Sequence, residues 1–168
     1  MLKYFKIPDF FHDVLGERQS ALEVVCTIAF ALVGSGVVYV LANVDINSWQ
    51  SVVAYLLIAD VLAGCIANFS FGTNEYYSAR PKNRLRFITV HIHILVIAWL
   101  LAEPMTSAFI VWAYTIASAF LVNALKGKSY QGFVAANLMS YGLLLLIYLS
   151  LPAWFFAVCV FFMIKVLF

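Results

Sequence analysis

Six long apolar stretches, over roughly residues 21–43, 49–72, 85–102, 106–125, 129–150 and 153–168, alternate with short polar connections. A helix needs about 20 largely apolar residues to cross the hydrocarbon core of a bilayer, and about 17 at the least. The pattern predicts an all-α, polytopic membrane protein. A single bundle of six transmembrane helices occupies residues 20–168, with the third and sixth spans short. Connections one, three and five are brief, so consecutive helices are expected to pack as antiparallel neighbours. Ahead of the bundle, Ile7, Phe10, Phe11, Val14 and Leu15 recur on one helical face, with Asp9, His12, Asp13 and Glu17 opposite. That spacing predicts a short amphipathic helix within residues 1–19, lying in the membrane interface. Ser20 and Glu23 then have the spacing of a capping box, marking the start of the first span.

Charge sets the expected orientation. Lys3, Lys6 and Arg18 precede the first span; Arg80, Lys82, Arg84 and Arg86 lie between the second and third; Lys126 and Lys128 lie between the fourth and fifth; Lys165 ends the sixth. The connections around Asp45, Glu103 and Pro152 carry no Lys or Arg. Basic residues of short loops remain on the cytoplasmic side during insertion. Both termini are therefore expected in the cytoplasm, with the protein in the inner (plasma) membrane. Trp49, Trp99 and Trp154 near the outer ends, and Tyr76, Tyr77 and Tyr130 near the inner ends, suit an interfacial belt.

Composition agrees: 65% of residues are apolar and 11% charged, against about half and a quarter in soluble domains. The first twenty residues contain Pro8, Asp9, Asp13 and Glu17 and lack a continuous apolar core, so no cleavable leader is expected. Cys26, Cys65 and Cys159 fall inside spans and are read as small packing residues rather than disulfide partners. No Walker loop, GxSxG elbow, HExxH or CxxC occurs, so no catalytic residue, metal or cofactor is assigned. A bilayer is the expected surroundings, with no nucleic-acid partner.

The second span carries two parallel ladders at four-residue spacing: Ala59, Ala63 and Ala67, and beside them Asp60, Gly64 and Asn68. Small residues let helix backbones approach closely, so this helix is expected at the bundle centre. Asp60 falls about eleven residues from each end of the span, near the bilayer midplane. A carboxylate there costs roughly 2.5–3.5 kcal/mol on insertion scales, and needs a partner, a proton or water. His91 and His93 enter from the inner end of the third span to a depth of about 10–13 Å, and Asn137 comes from the fifth span to a similar level. A polar cluster of Asp60, Asn68, His91, His93 and Asn137 is the expected binding or proton-handling site. In a regular helix His91 and His93 point about 200° apart, so both reach one site only if the helix is distorted. Packing roles compete with these readings, because buried amides and imidazoles also join helices.

Arg80, Lys82, Arg84 and Arg86, with Tyr76 and Tyr77, form a candidate anion or lipid-headgroup site. Topology alone also accounts for these charges. Three functions follow. The first is a small transport protein that binds a small polar or anionic solute, or relays protons, at a cytoplasm-facing site centred on Asp60. The second is a non-catalytic subunit or accessory protein, docking a partner membrane subunit or another copy through the second helix, with Asp60 paired to a cation on another chain. The third is a membrane enzyme acting on a lipid-linked substrate, with His91 or His93 as base.

Overall fold

The computed structural model describes residues 4–43 and 48–168. Expectations attached to Lys3, Asp45 and the side chains of Phe11 and Asp13 lie outside the described residues. The long helices are α2 (Ala21–Ala42), α3 (Trp49–Ala67), α7 (Met105–Ala124) and α8 (Gln131–Tyr148), preceded by strand β1 (Tyr4–Lys6), helix α1 (His12–Leu15) and strand β2 (Arg18–Ser20). Between α3 and α7 run α4 (Phe71–Ala79), α5 (Pro81–Val90) and α6 (His93–Leu100), and α9 (Ala153–Leu167) closes the chain. Among the described residues, five helical segments are long and apolar enough to cross a membrane: α2, α3, the α5–α6 unit, α7 and α8. At 15 residues α9 is apolar but shorter.

Local sequence explains the boundaries. Helix α2 starts where the Ser20–Glu23 spacing predicts: the Glu23 amide donates to Ser20 Oγ (3.3 Å) and the Ser20 amide donates to Glu23 Oε2 (2.8 Å). The 73–84 connection, expected as a loop, is largely helical. Ser70 accepts from the Thr73 amide to cap α4, and Pro81 occupies the first turn of α5, where its missing N–H costs nothing.

Residues 4–20 depart from the expected amphipathic helix. They form an antiparallel hairpin with Tyr4 opposite Ser20 and Lys6 opposite Arg18, closed by a 3-10 turn and the single turn of α1. Pro8 and Gly16 confine the helix, Gly16 lying at φ +69°. The intended apolar face is split in consequence: Ile7 is buried while Phe10 is exposed. The hairpin instead docks on α4. A Cβ at Gly72 would stand 1.8 Å from the Arg18 carbonyl oxygen, and one at Gly16 2.3 Å from that of Gly72, so the two backbones touch directly. Gln19 anchors the contact, donating to Ser70 Oγ at 2.7 Å and Thr73 Oγ1 at 3.3 Å.

Helices α3 and α9 share the centre of the bundle. Helix α3 packs on α2, α6 and α9, while α9 touches α2, α3, α6, α7 and α8. A helix apolar on every side belongs inside a bundle, and Phe155, Val158, Cys159, Phe162 and Met163 of α9 are buried. By contrast Leu22, Val25, Leu32, Val33 and Val40 make α2 a peripheral helix with a broad exposed apolar face. Helices α3 and α9 end side by side at the pole that carries the basic connections: the Asn68 amide donates to the Lys165 carbonyl, and Lys126 Nζ donates to the Ser78 carbonyl at 2.9 Å.

The hairpin contact gives a test. Gly72→Ala overpacks two backbones and is expected to destabilise the fold by about 1–3 kcal/mol. Limited trypsin digestion should then cut faster after Lys6 and Arg18. Unchanged cutting at both sites would show that the hairpin is not held through Gly72.

Candidate functional site

Asp60 lies on the α3 face turned to α9, and its partner is Lys165. The Lys165 ammonium donates to Asp60 Oδ2 at 2.6 Å and to the Asp60 backbone carbonyl at 3.1 Å. Helix geometry places it there. Side chains on a helix lean toward its N-terminus, so Lys165, near the C-terminus of α9, reaches back into the bundle. Its stem runs over Gly64, where a Cβ would meet Lys165 Cε at 2.3 Å. Asn68, one turn further along α3, holds the Lys165 backbone carbonyl. The ladder of Asp60, Gly64 and Asn68 is therefore a track that receives one lysine: headgroup, stem and backbone in turn. An isolated Asp60, dependent on another chain for its cation, is overturned by this pairing. Lys165, read from the sequence as a marker of topology, is instead buried at the centre of the site.

The two ions are unequally placed. The Lys165 side chain is 5% exposed, whereas that of Asp60 is 35% exposed. Asp60 opens onto a cavity of about 390 Å³ that is also lined by Gly64, His91, His93, Asn83 and Arg86. Both residues line the cavity, the carboxylate with the larger exposed share and the ammonium more deeply enclosed.

Both histidines join the site because the span breaks between them. His91, at φ −77° and ψ 73°, separates α5 from α6. The Ile92 amide donates to the Val90 carbonyl at 2.8 Å, giving His91 the central place of an inverse γ-turn. The break cancels the roughly 200° divergence of a regular helix, and the two rings stand 5.1 Å apart. Trp112 of α7 donates its indole N–H to the freed His91 carbonyl at 3.1 Å. Such breaks within membrane depth survive where protein or a cavity re-satisfies the backbone.

His93 Nε2 is 3.3 Å from Asp60 Oδ2, while His91 Nδ1 bonds the Phe87 carbonyl. A carbonyl only accepts, so His91 carries its proton on Nδ1 and presents Nε2 as an acceptor. His91 Nε2 and His93 Nδ1 are buried without a hydrogen-bond partner. Two such nitrogens beside a cavity leave capacity for a donor to fill.

The other expected residues divide. Asn68 belongs to the site as the clamp on Lys165. Asn137 does not: it lies exposed on α8 and donates to its own helix at the Phe133 carbonyl, 3.1 Å away. Asn137 is separated because α8 packs chiefly on α7 and α9. Arg86 and Tyr77 line the cavity. Arg80 is bound to Glu17 of the hairpin and lies 4.4 Å over the Tyr76 ring. Tyr76 accepts from Asn83 Nδ2 at 3.2 Å. Lys82 is exposed, and Arg84 faces a different cavity. The six expected anion-binding residues therefore do not form one site. Val14, Asn83 and above all Lys165 join the lining unforeseen. Among the described residues no three His, Cys, Asp or Glu side chains gather as a metal site.

Removing one member of a buried pair strands the other. Asp60→Asn leaves the enclosed ammonium uncompensated and is expected to cost about 3 kcal/mol. Lys165→Met should cost less, because Asp60 remains open to the cavity, and the Asp60→Asn/Lys165→Met double variant should recover most of the Asp60→Asn loss. Thermal unfolding in detergent reads the order, and an Asp60→Asn variant no weaker than Lys165→Met would contradict it. A second comparison concerns packing space. Gly64→Ala collides with the Lys165 stem and should destabilise by about 1–3 kcal/mol. Gly36→Ala meets nothing within 4 Å and should instead stabilise its helix by about 0.5–1 kcal/mol. Equal midpoints for these two variants would remove the track from the argument. No family model, curated protein or solved structure matches this chain.

Proposed function

We propose that the chain is a small transport protein of the inner membrane, with six spans and both termini in the cytoplasm. Its cavity at Asp60, Lys165, His91 and His93 takes a small polar solute and exchanges protons with it. The observation that carries this reading is the pair of unpartnered imidazole nitrogens beside an accessible, lysine-backed carboxylate. A volume of about 390 Å³ lies near the lower end of the about 300–1,000 Å³ usual for ligand pockets. Discontinuous helices that line polar sites are also a recurring device of membrane transporters.

Helix α9 serves as the sixth span despite its length of about 22 Å. Protein rather than lipid surrounds most of it, so it need not match the hydrocarbon thickness by itself. The solute enters from the basic pole, past Arg86, Asn83 and Tyr77, and meets Asp60 as acceptor and the imidazoles as acceptors or donors. A proton taken up from the solute at His93 Nδ1 as His93 passes its Nε2 proton to Asp60 Oδ2 keeps the imidazole neutral, neutralises the carboxylate and loosens its hold on Lys165, which couples occupancy to the contact between α3 and α9. The accessory-subunit reading loses its main support, since Lys165 supplies within the chain the cation that Asp60 requires.

The folded double variant provides the test. In proteoliposomes loaded with a pH-sensitive dye, wild-type protein should pass protons under an imposed potential, and Asp60→Asn/Lys165→Met should reduce the rate at least about tenfold, the loss of one transition-state interaction of about 1.4 kcal/mol. Arg80→Gln, outside the cavity, should retain the wild-type rate. In the same experiment a panel of small amide, hydroxyl and carboxylate compounds would reveal solute by competition. Undiminished proton flux through the double variant would end the proposal.

A further inference from the structure

A second cavity, of about 360 Å³, shares Asn68, Tyr77, Phe87 and Lys165 with the first as a common wall. The aromatic part of that wall is closed, with the Tyr77 and Phe87 rings 5.1 Å apart. The remaining lining mixes apolar residues of α5, α7 and α9 with polar ones, and its charged side chains are basic: Arg84 from α5 and Lys126 from the connection after α7, with Gln131 from α8 beside them. Among the described residues no Asp or Glu side chain lines this cavity. Among the described residues no carboxylate lies within ion-pair distance of Arg84 or Lys126.

Hydrogen-bond capacity points the same way. Lys126 donates one of its three protons to the Ser78 carbonyl at 2.9 Å, and Gln131 Nε2 donates to the Val122 carbonyl at 3.2 Å. Arg84 has five N–H donors and no acceptor, and it is half-buried at the cavity wall rather than extended into solvent. Topology does not require that placement. Lys82, in the same basic connection as Arg84, is exposed and serves orientation equally well. A concave, donor-rich cavity that holds Arg84 and Lys126 beside the already paired Lys165, with no acidic side chain among the described residues, matches a dianionic or monoanionic tetrahedral oxyanion.

We propose that this second cavity binds a phosphate group, Arg84 gripping two oxygens with its planar fork and Lys126 supplying a point charge. The group comes either from an anionic lipid headgroup or from a soluble phosphate. Basic pockets between membrane helices are suited to the former.

Two probes separate the sources. Purified protein is equilibrated with phosphatidylcholine vesicles with or without phosphatidylglycerol, and retained lipid is counted by native mass spectrometry. Equilibrium dialysis with radiolabelled inorganic phosphate is run in parallel. Wild-type protein should bind at least one probe: lipid alone identifies a headgroup site, and inorganic phosphate identifies a soluble-anion site. Arg84→Gln and Lys126→Gln should each weaken that binding about tenfold, equivalent to about 1.4 kcal/mol. Arg84→Lys, which keeps the charge but not the fork, should fall between. Lys128→Gln should bind like wild type. Because Lys126 is exposed, its variant preserves the test if Arg84→Gln does not fold. Absence of binding to both probes, retention of binding in Lys126→Gln, or an equal loss in Lys128→Gln would overturn the proposal.

Discussion

Two opposite charges inside an apolar bundle organise this protein. Neither Asp60 nor Lys165 can remain alone inside an apolar bundle without a large desolvation cost. Bringing them together requires α3 and α9 to be adjacent, to run in the same direction and to approach closely enough for a lysine stem to pass. Gly64 provides the passage and Asn68 fixes the register by holding the Lys165 carbonyl. The parallel pairing of α3 and α9 has a topological consequence. Antiparallel hairpins alone would place α9 beside α8, but the ion pair draws it into the centre, where it touches every long helix of the bundle.

The same economy explains the broken span. Had α5 and α6 formed one regular helix, only one histidine could have faced Asp60. The γ-turn at His91 turns both inward, and its backbone cost is reduced by Trp112 on the neighbouring helix. His91 has a double role: its backbone makes the break, and its side chain uses the resulting space. The cavity exists because the helix axis is interrupted beside a glycine track already filled by a lysine stem. Site and fold therefore share the same residues, and substitutions at Asp60, Gly64 or Lys165 act on stability as well as chemistry.

Much of the architecture was legible in the chain. Long apolar runs are strong local signals, and the Ser20–Glu23 capping spacing marked the first residue of α2 directly. The polar ladder on α3 was legible for the same reason, since helical periodicity determines which residues share a face; that same periodicity set His91 and His93 about 200° apart, so it allowed only one of them to face Asp60. What escaped depends on contacts distant in sequence. Lys165 is far from Asp60 along the chain, and a lysine near a helix end is ordinarily a topology signal. Its membership could have been suspected from one fact: it is the lone charge on a helix apolar all round. The break at His91 had no Gly or Pro to announce it. Asn137 lies on the wrong helix, because neighbours follow from packing and not from sequence position. The N-terminal hairpin escaped because the apolar spacing of Ile7 to Leu15 suits a helix, and only Pro8 and Gly16 argue against one.

Lys165 also links the two cavities mechanically. Its ammonium is held at Asp60, its stem is confined over Gly64, and its carbonyl is tied to Asn68, so the residue is restrained at three points along α3. Any displacement of the last turn of α9 must either stretch the pair with Asp60 or break the bond to Asn68. That last turn, through Val166, Leu167 and Phe168, borders the basic cavity. Closely packed interiors transmit small displacements instead of absorbing them. Lys165 thus joins the wall of the basic cavity to the carboxylate of the other through a single side chain.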